Sequence, residues 1–290
     1  MSVDPLRARL AAGGVASGLV VAHSRTPTIA RIAASCGYHW LFIDLEHGAT
    51  SLEIASQICV AALDAGIAPF VRVPENSPGW IGRALDGGAV GIVVPHIDSA
   101  ADAKRAVDAA RYPPIGFRSL SGLLPQFGYR ALPAREQMAQ SEALTFLVGI
   151  IETKEAIEQI DAIAAVPGVD ALQVGTSDLS VSLGVPGELD HPRVQDAVRL
   201  TIKACSRHGK IAAVGGAYQP DWLRLYAGMG VRMLLVGNDL SLLVGALRER
   251  ASLLPAVSTR MARLSARNFT LRNDSNAVSQ NAPQRRVGPA

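Results

Sequence analysis

The stretch LFIDLEHG, residues 41–48, decides the fold class of this chain. It begins as an uninterrupted apolar run, the pattern of a β-strand that is covered on both faces, as strands of a parallel sheet are. It then ends abruptly in Asp44, Glu46 and His47. Two carboxylates and an imidazole can directly follow a buried strand when the carboxyl end of that strand opens into a site. The stretch therefore predicts an α/β protein with a functional site at the carboxyl end of a parallel sheet.

Seven further apolar runs repeat the pattern, so that eight strands are expected in all. Ala-rich segments with helical spacing separate the runs, and several of them end in Gly just before the next strand, where a left-handed cap is needed. Eight strand–helix alternations over about 250 residues are the count and size of a (β/α)8 TIM barrel. The other runs are VASGLVVAH (15–23), APFVRVP (68–74), GIVVPHI (91–97), LTFLVGIIET (144–153), ALQVGT (171–176), IAAVGGA (211–217) and MLLVGND (233–239).

The domain organisation follows from the same pattern. A doubly wound open sheet would require a glycine-rich phosphate turn after the first strand, and VVAHSRTPT (20–28) is not such a turn. We therefore predict one barrel domain over residues 1–258. The long connection 111–142, which contains Gly and Pro, is expected to be a lid or an interface element. The polar, basic tail over residues 259–290 is predicted to be disordered.

Composition and charge exclude several classes of protein. Hydrophobic residues make up 49% of the chain and charged residues 18%, as in a globular enzyme. The net charge of +3 is too small to indicate a nucleic-acid partner. No apolar run approaches the ~20 residues of a membrane helix, so no membrane partner is expected. Cys36, Cys59 and Cys205 form no CxxC pair, which favours reduced thiols and a cytoplasmic location.

Polar residues end several of the predicted strands, and the strand ends of a barrel meet at one rim. Glu152 ends the fifth strand, and Asp178 lies just beyond the sixth. Two carboxylates on neighbouring strands suit a hard divalent cation such as Mg2+ or Mn2+. Either carboxylate taken alone could instead be an ordinary helix cap. Their occurrence at the same barrel level favours a metal site.

A candidate base and a positively charged side chain are also expected at this rim. His47 is a candidate general base, with Asp44 or Asp86 as the carboxylate that would fix its tautomer; the alternative is an ordinary hydrogen-bonded histidine. Arg72 lies inside an apolar strand and needs an anionic partner, either a substrate oxygen or a structural carboxylate. His96 also lies at the rim, where a substrate contact and a purely structural role both remain open.

With these motifs in hand, the chain resembles the HpcH/HpaI aldolase family, the metal-dependent class II pyruvate aldolases. The likeness covers residues 18–250 and is carried by FIDLEHG, VRVP, ALDGGAVGIVVPHI, IIETKEAIEQID, GVDALQVGTSDLSVSLG and LLVGNDLSLL. The resemblance implies a (β/α)8 barrel that assembles as a homohexamer, a trimer of dimers. It also implies reversible cleavage of a 4-hydroxy-2-oxo acid, of the 2-keto-3-deoxy sugar acid or 4-hydroxy-2-oxo-heptanedioate type, to pyruvate and an aldehyde. The cofactor expected is Mg2+ or Mn2+, with Co2+ as a further candidate.

The resemblance also implies roles for individual residues. Glu152 and Asp178 would be the metal ligands, and Glu46 would reach a metal-bound water. His47 resembles the catalytic base, and Arg72 resembles the residue that contacts the pyruvyl oxygen. No lysine occupies a strand end, so Schiff-base catalysis is not expected.

Further residues follow from the same likeness. The substrate carboxylate would bind the backbone amides at the start of a helix, namely those of Gly175, Thr176, Ser177 and Asp178. Asp44 and Asp86 are expected in the catalytic machinery, with Asp86 as the acidic partner of the histidine from the same subunit or a neighbouring one. Gly216 would lie near the acceptor aldehyde, where the small pair Gly215 and Gly216 suggests a roomier pocket.

The chain departs from the family pattern at one position. Many members carry Gln two residues before the metal-binding Glu, where this chain has Ile150. The expected polar substrate contact is therefore missing. Two alternatives remain open at this point. An acyl-CoA lyase of the citrate-lyase β-like branch would be expected to start its first strand with RS, where this chain reads GLVVAHSRTP (18–27). A non-catalytic metabolite-binding barrel has Ile150 as its only support.

Overall fold

Eight parallel strands form a closed barrel in the computed structural model, which describes residues 5–254 of the protein. Each strand pairs with the next along the chain, and the eighth pairs with the first. The strands are β1 (Ala16–Val21), β2 (Trp40–Asp44), β3 (Ala68–Arg72), β4 (Gly91–Val94), β5 (Phe146–Ile151), β6 (Ala171–Gly175), β7 (Ile211–Gly215) and β8 (Met233–Asn238). The predicted (β/α)8 TIM barrel is confirmed.

Helices connect all consecutive strands. One helix also precedes β1 and one follows β8. Two short helices follow β5, and a short helix precedes the long one after β6. The helices are α1 (Pro5–Ala11), α2 (Thr28–Ser35), α3 (Leu52–Ala65), α4 (Pro78–Asp86), α5 (Ala100–Ala110), α6 (Ala134–Leu144), α7 (Lys154–Glu158), α8 (Ile160–Ala164), α9 (Thr176–Ser182), α10 (Pro192–Arg207), α11 (Pro220–Met229) and α12 (Asp239–Ser252), with a 3-10 helix at Pro125–Phe127.

Aromatic rings fill the barrel near the amino ends of its strands. The centroid of the Phe70 ring lies 5.2 Å from that of Trp40 and 5.3 Å from that of Phe146. Strand glycines make room for these rings, because a Cβ on Gly91 would clash with the Phe70 ring. Buried Leu6 of α1 belongs to the same cluster. The packed amino end leaves the opposite, carboxyl end of the barrel for the site.

The predicted single barrel domain over residues 1–258 stays a prediction. Internal contacts divide the chain into Met1–Leu242, which holds the barrel, and a second unit that begins at Leu243. The described part of this second unit continues α12 to Ser252. The tail predicted over residues 259–290 lies outside the described residues. Within residues 5–254, no helix is long and apolar enough to span a membrane.

Candidate active site

A cavity of about 290 Å³ opens at the carboxyl ends of the strands. It collects side chains and backbone from both sides of the barrel, as expected for a TIM-barrel site. Nine of the residues predicted from the sequence line it, and they are Asp44, His47, Arg72, Glu152, Gly175, Thr176, Ser177, Asp178 and Gly216. The predicted convergence of strand ends is therefore present in the structure.

Arg72, the last residue of β3, is held by two carboxylates from the end of β2. Its Nε and Nη2 donate to Oδ1 and Oδ2 of Asp44 at 2.9 and 2.6 Å. Its Nη1 lies 2.7 Å from Oε2 of Glu46. The register explains the pairing, since Asp44 and Arg72 are aligned partners of adjacent strands. The anionic partner that Arg72 needs is thus a structural pair of carboxylates, and the guanidinium remains on the cavity wall.

Asp44 also organises the turn that follows β2. Its Oδ1 accepts hydrogen bonds from the backbone N–H groups of Glu46 and His47 at 3.0 and 3.2 Å. The side chain of Asp44 is only 4% exposed, so these bonds satisfy a buried carboxylate. Asp44 therefore fixes the backbone from which His47 projects into the exposed mouth of the cavity.

His96 links the ends of β2 and β5. Its backbone N–H donates to Oε1 of Glu152 at 2.8 Å, and its ring Nδ1 lies 2.9 Å from the same oxygen. Its Nε2 lies 3.3 Å from Oε1 of Glu46. His96 has a φ of 54°, in the left-handed region that non-glycine residues rarely adopt. His96 thus contacts the site carboxylates, and the substrate contact considered for it stays a prediction.

The pKa of Glu152 is shifted by its surroundings in the cavity. Burial raises its pKa, the His96 backbone and ring oppose that rise, and the negative charges of Glu46 and Asp178 add to it. The charge of Asp178, in the first turn of α9, thus acts on Glu152 within one cavity. Burial is the largest cause of the raised pKa of Glu152, and the neighbouring carboxylates add to it.

This donor set fits a hard divalent cation. Glu152 and Asp178 provide carboxylate oxygens, and an open cavity leaves coordination positions for water and substrate oxygens. Gly175 permits the close approach of β6, because a Cβ there would lie 3.3 Å from Oε2 of Glu152. In the described part of the chain, three or more His, Cys, Asp and Glu residues are nowhere gathered into a metal cluster. Protein ligation of a metal at this site would therefore rest on a pair of carboxylates.

The start of α9 is tied to β7 by a buried threonine. Thr176 Oγ1 donates to the carbonyl oxygen of Gly215 at 2.8 Å. Gly216 has a φ of 93°, and a Cβ there would lie 2.6 Å from Thr176 Oγ1 and 3.0 Å from Ser177 Oγ. Only glycine fits such a backbone and such close packing. The amides at the start of α9 are thereby held at the cavity wall.

The expected orientation of the His47 ring by a carboxylate is not observed. Asp44 is occupied by Arg72 and by backbone N–H groups, and Asp86 accepts a hydrogen bond from Arg118 Nη2 at 2.9 Å. Asp86 lies on α4 and lines a separate cavity. No hydrogen bond to the His47 imidazole is made by any residue in the range 5–254. The catalytic role of Asp86 stays a prediction that one subunit does not test.

Sequence reasoning missed several residues that line the cavity. Burial raises the pKa of Tyr218, with Asp44 adding to the rise and Arg72 opposing it, so the phenol stays protonated at neutral pH. The signal available was position, since Tyr218 follows β7 directly. Gln173 is a polar residue inside an apolar strand, the same signal that identified Arg72. Other lining residues that were not predicted for the site include His23 and Leu240.

A closed (β/α)8 barrel with an acidic cavity at its strand ends has the architecture of a TIM-barrel enzyme. Residues 18–246 match the family model described as HpcH/HpaI aldolase/citrate lyase, and the chain belongs to this family. It is 38% identical over 253 residues to a 4-hydroxy-4-methyl-2-oxoglutarate aldolase of Hapsidospora irregularis, covering 86% of this chain and 94% of the relative. It is 36% identical over 223 residues to a hydroxypyruvate/pyruvate aldolase of Chromohalobacter salexigens, covering 77% and 87%.

Solved structures agree with the assignment. The HpcH/HpaI aldolase of Desulfitobacterium hafniense superposes with a TM-score of 0.82 at 30% identity. The match covers 87% of this chain and 98% of that one. The family predicted from the sequence is confirmed.

Proposed function

We propose that the protein is a divalent-metal-dependent aldolase that reversibly cleaves a 4-hydroxy-2-oxo acid to pyruvate and an aldehyde or ketone. It is a carbon–carbon lyase, as membership of the family and aldolase relatives at 34–39% identity support. The observation that carries the proposal is the buried Glu152 carboxylate, whose pKa is raised in a cavity that it shares with Asp178. Two carboxylates that line one cavity, one of them buried, provide the oxygen ligands that a hard divalent cation prefers.

Different residues of the cavity would bind the metal and the substrate. Glu152 and Asp178 would hold Mg2+ or Mn2+, with Co2+ as a further candidate. When bound, the cation would polarise the 2-oxo group and stabilise the charge left by cleavage of the C3–C4 bond. The backbone amides at the start of α9 would bind the substrate carboxylate. Arg72, oriented by Asp44 and Glu46, would direct its guanidinium at the pyruvyl oxygen.

Proton transfer would fall to His47. Its ring is exposed at the mouth of the cavity, where it can take the proton of the C4 hydroxyl through a water. As that proton leaves, the C4 oxygen becomes a carbonyl, and the electron pair of the C3–C4 bond passes to C3 of the pyruvyl fragment. Protonation at C3 then gives pyruvate. A neutral imidazole is the acceptor form, so activity should require deprotonated His47.

The assembly and location belong to the same proposal. A homohexamer, built as a trimer of dimers, would let Asp86 serve the site of a neighbouring subunit. Its position in a cavity other than the one that holds His47 supports this assignment. A cytoplasmic location is supported by Cys36, Cys59 and Cys205, which are free.

The test is metal-dependent release of pyruvate from 4-hydroxy-4-methyl-2-oxoglutarate, which yields two pyruvates per molecule, followed with coupled lactate dehydrogenase. We expect EDTA to abolish release and Mn2+ or Mg2+ to restore it. Asp178→Asn should lower kcat/KM more than about 100-fold. The matched control is Asp221→Asn, whose side chain is 92% exposed in an ion pair with Arg224.

Three outcomes would contradict the proposal. Turnover that is insensitive to EDTA would exclude a metal-dependent aldolase. Cleavage of an acyl-CoA thioester without pyruvate release from the hydroxy-oxo acid would favour the acyl-CoA lyase alternative. Pyruvate binding without any turnover would favour the non-catalytic barrel.

A further inference from the structure

A buried amide without a partner faces the inner end of the cavity. Gln173, in the middle of β6, is only 3% exposed and lines the cavity wall. Its side-chain Oε1 has no hydrogen-bond partner among residues 5–254. A buried polar atom left unpaired costs about 1–3 kcal/mol. The side-chain Nε2 of Gln173 likewise makes no hydrogen bond to residues 5–254, so the amide keeps an N–H donor for a ligand oxygen.

The neighbouring side chains of the cavity provide no hydrogen-bond partner for Gln173. Ile150 and Leu235 line the same part of the cavity and offer no polar atoms. On the neighbouring strand, a Cβ at Gly215 would lie 3.0 Å from Gln173 Nε2. Glycine at 215 therefore makes room for the amide without bonding to it. The sheet accommodates a polar side chain that its own residues do not satisfy.

The strand register pairs Gln173 with a residue of the neighbouring strand that also lines the cavity. Ile150 on β5 and Gln173 on β6 are aligned partners across the sheet, and both side chains line the cavity. β6 thus presents an amide to the cavity at the position paired with an apolar side chain of β5.

We propose that Gln173 binds a hydroxyl or oxo oxygen of the 2-oxo acid at the inner end of the cavity and thereby helps to select the substrate. The assignment rests on the proposed aldolase function. An amide can serve either kind of oxygen, because rotation by 180° exchanges its acceptor Oε1 for its donor Nε2. Gln173 thereby supplies the polar contact that the sequence at residue 150 lacks.

The test exchanges the two side chains across the register pair. Gln173→Ile removes the amide at nearly constant volume, and the double variant Ile150→Gln/Gln173→Ile returns it on β5. Both proteins and the wild type are loaded with Mn2+. The Kd of pyruvate is measured by calorimetry, and KM and kcat are measured with 4-hydroxy-4-methyl-2-oxoglutarate.

We expect Gln173→Ile to raise the Kd of pyruvate and the KM at least about 10-fold, which corresponds to about 1.4 kcal/mol. The exchange variant should restore both to within about 3-fold of the wild type. The Tm of ligand-free Gln173→Ile should equal or exceed that of the wild type, since removing an unsatisfied buried amide does not destabilise the fold.

Wild-type affinity and KM in Gln173→Ile would overturn the assignment. An exchange variant that binds pyruvate no more tightly than Gln173→Ile would also overturn it. A Tm lowered by Gln173→Ile would do the same, because it would show that the amide stabilises the fold. A wild-type protein without metal-dependent pyruvate release would instead refute the aldolase function itself. The two failures are therefore distinguishable.

Discussion

Two residues near the barrel rim, Arg72 and His96, are held in place by carboxylates of the site. The Arg72 guanidinium is shared by two carboxylates that lie within two positions of each other on the chain. His96 keeps a left-handed backbone while its N–H and its ring both bond Glu152. Both arrangements align groups of the cavity wall before any substrate arrives, which is how a site becomes preorganised.

Replacing Arg72 with Lys should separate charge from geometry. Lysine keeps the positive charge but cannot make the paired bonds to Asp44. We expect kcat/KM to fall about 100-fold, because a misplaced cation no longer matches the substrate oxygen. The free energy of unfolding should fall by about 1.5–3 kcal/mol. Steady-state kinetics and urea denaturation measure the two effects, and Arg224→Lys, in an exposed pair, is the control. Unchanged kinetics would remove Arg72 from the site.

The backbone strain at His96 can be measured with a glycine–alanine pair. His96→Gly and His96→Ala both remove the ring and keep the N–H that bonds Glu152. Glycine adopts a φ of 54° freely, whereas alanine does not, so the glycine variant should be about 1 kcal/mol more stable in urea denaturation. At Ala139, exposed in α6, the order should reverse because alanine favours a helix. Equal stability of the two His96 variants would contradict the prediction, because it would show that residue 96 can leave its left-handed conformation without cost.

At the level of elements, the first loop of the barrel is anchored by the last described helix. Asp239 begins α12, and its carboxylate accepts hydrogen bonds from the backbone N–H groups of Ala22, His23 and Ser24 at 3.2, 3.1 and 2.6 Å. The barrel seam between β8 and β1 is therefore joined by a side chain as well as by the ladder. Burial alone would raise the pKa of Asp239, but bonds from Ser24, His23 and Ala22 lower it.

This anchor should make stability depend on pH. Because the folded pKa of Asp239 is lowered, its stabilisation is complete above the unfolded-state pKa of about 3.9 and is lost as the pH falls through the folded pKa. We expect Asp239→Asn to cost about 1 kcal/mol at neutral pH, a value limited by solvent screening of a partly exposed carboxylate. Urea titrations of both proteins should converge in acid. Asp221→Asn is the control, and a constant difference at every pH would contradict the mechanism.

The strands were largely predictable, whereas several helical features were not. Continuous apolar runs identify strands that are covered on both faces. Seven strands lie within the predicted runs, and β2 begins at Trp40, one residue before the stretch 41–48. Among the helical features that were not predicted is α6, which lies mostly within the connection 111–142 that was expected to be a lid or an interface element. Helix α1 escaped prediction because it is seven residues long and buries only Leu6 and Leu10. One predicted helix after β5 is instead split into α7 and α8 at Gln159, whose φ of −102° and ψ of 8° are not helical. Such breaks depend on packing against the barrel.

The same limit explains the residues that were missed at the site. Residue type and strand ends were sufficient to predict Glu152, Asp178 and His47, because parallel strands finish at one rim. The significance of Gln173 depends on its register with Ile150, which the chain does not encode locally. The location of Asp86 depends on a partner, Arg118, in a long connection without regular spacing.

The two ends of the barrel have different roles, one in stabilising the fold and the other in forming the site. Aromatic rings and Leu6 close the amino end, and the polar cavity occupies the carboxyl end. Substitutions in the aromatic layer should therefore affect folding before they affect the site. The family assignment and the closed barrel agree with this division, since loops and strand ends carry the variable chemistry of the fold.

A glycine pair tests that division. An added Cβ at Gly91 would collide with the ring of Phe70, so Gly91→Ala should destabilise the protein by about 1–3 kcal/mol. An added Cβ at Gly82, in α4, would meet only open space, and Gly82→Ala should stabilise the protein by up to about 1 kcal/mol. Thermal unfolding measures both, and kcat should change little in Gly82→Ala. Equal Tm shifts would contradict the packed layer.

The backbone at Gly216 has a consequence for laboratory evolution of the substrate range. Its φ of 93° and the 2.6 Å approach of an added Cβ to Thr176 Oγ1 leave no place for another residue, however large or small the incoming carbonyl compound. Libraries randomised around the cavity mouth should therefore return glycine at this codon in every active clone. Diversity among the survivors should concentrate at Tyr218 and Leu240, whose side chains border the same opening.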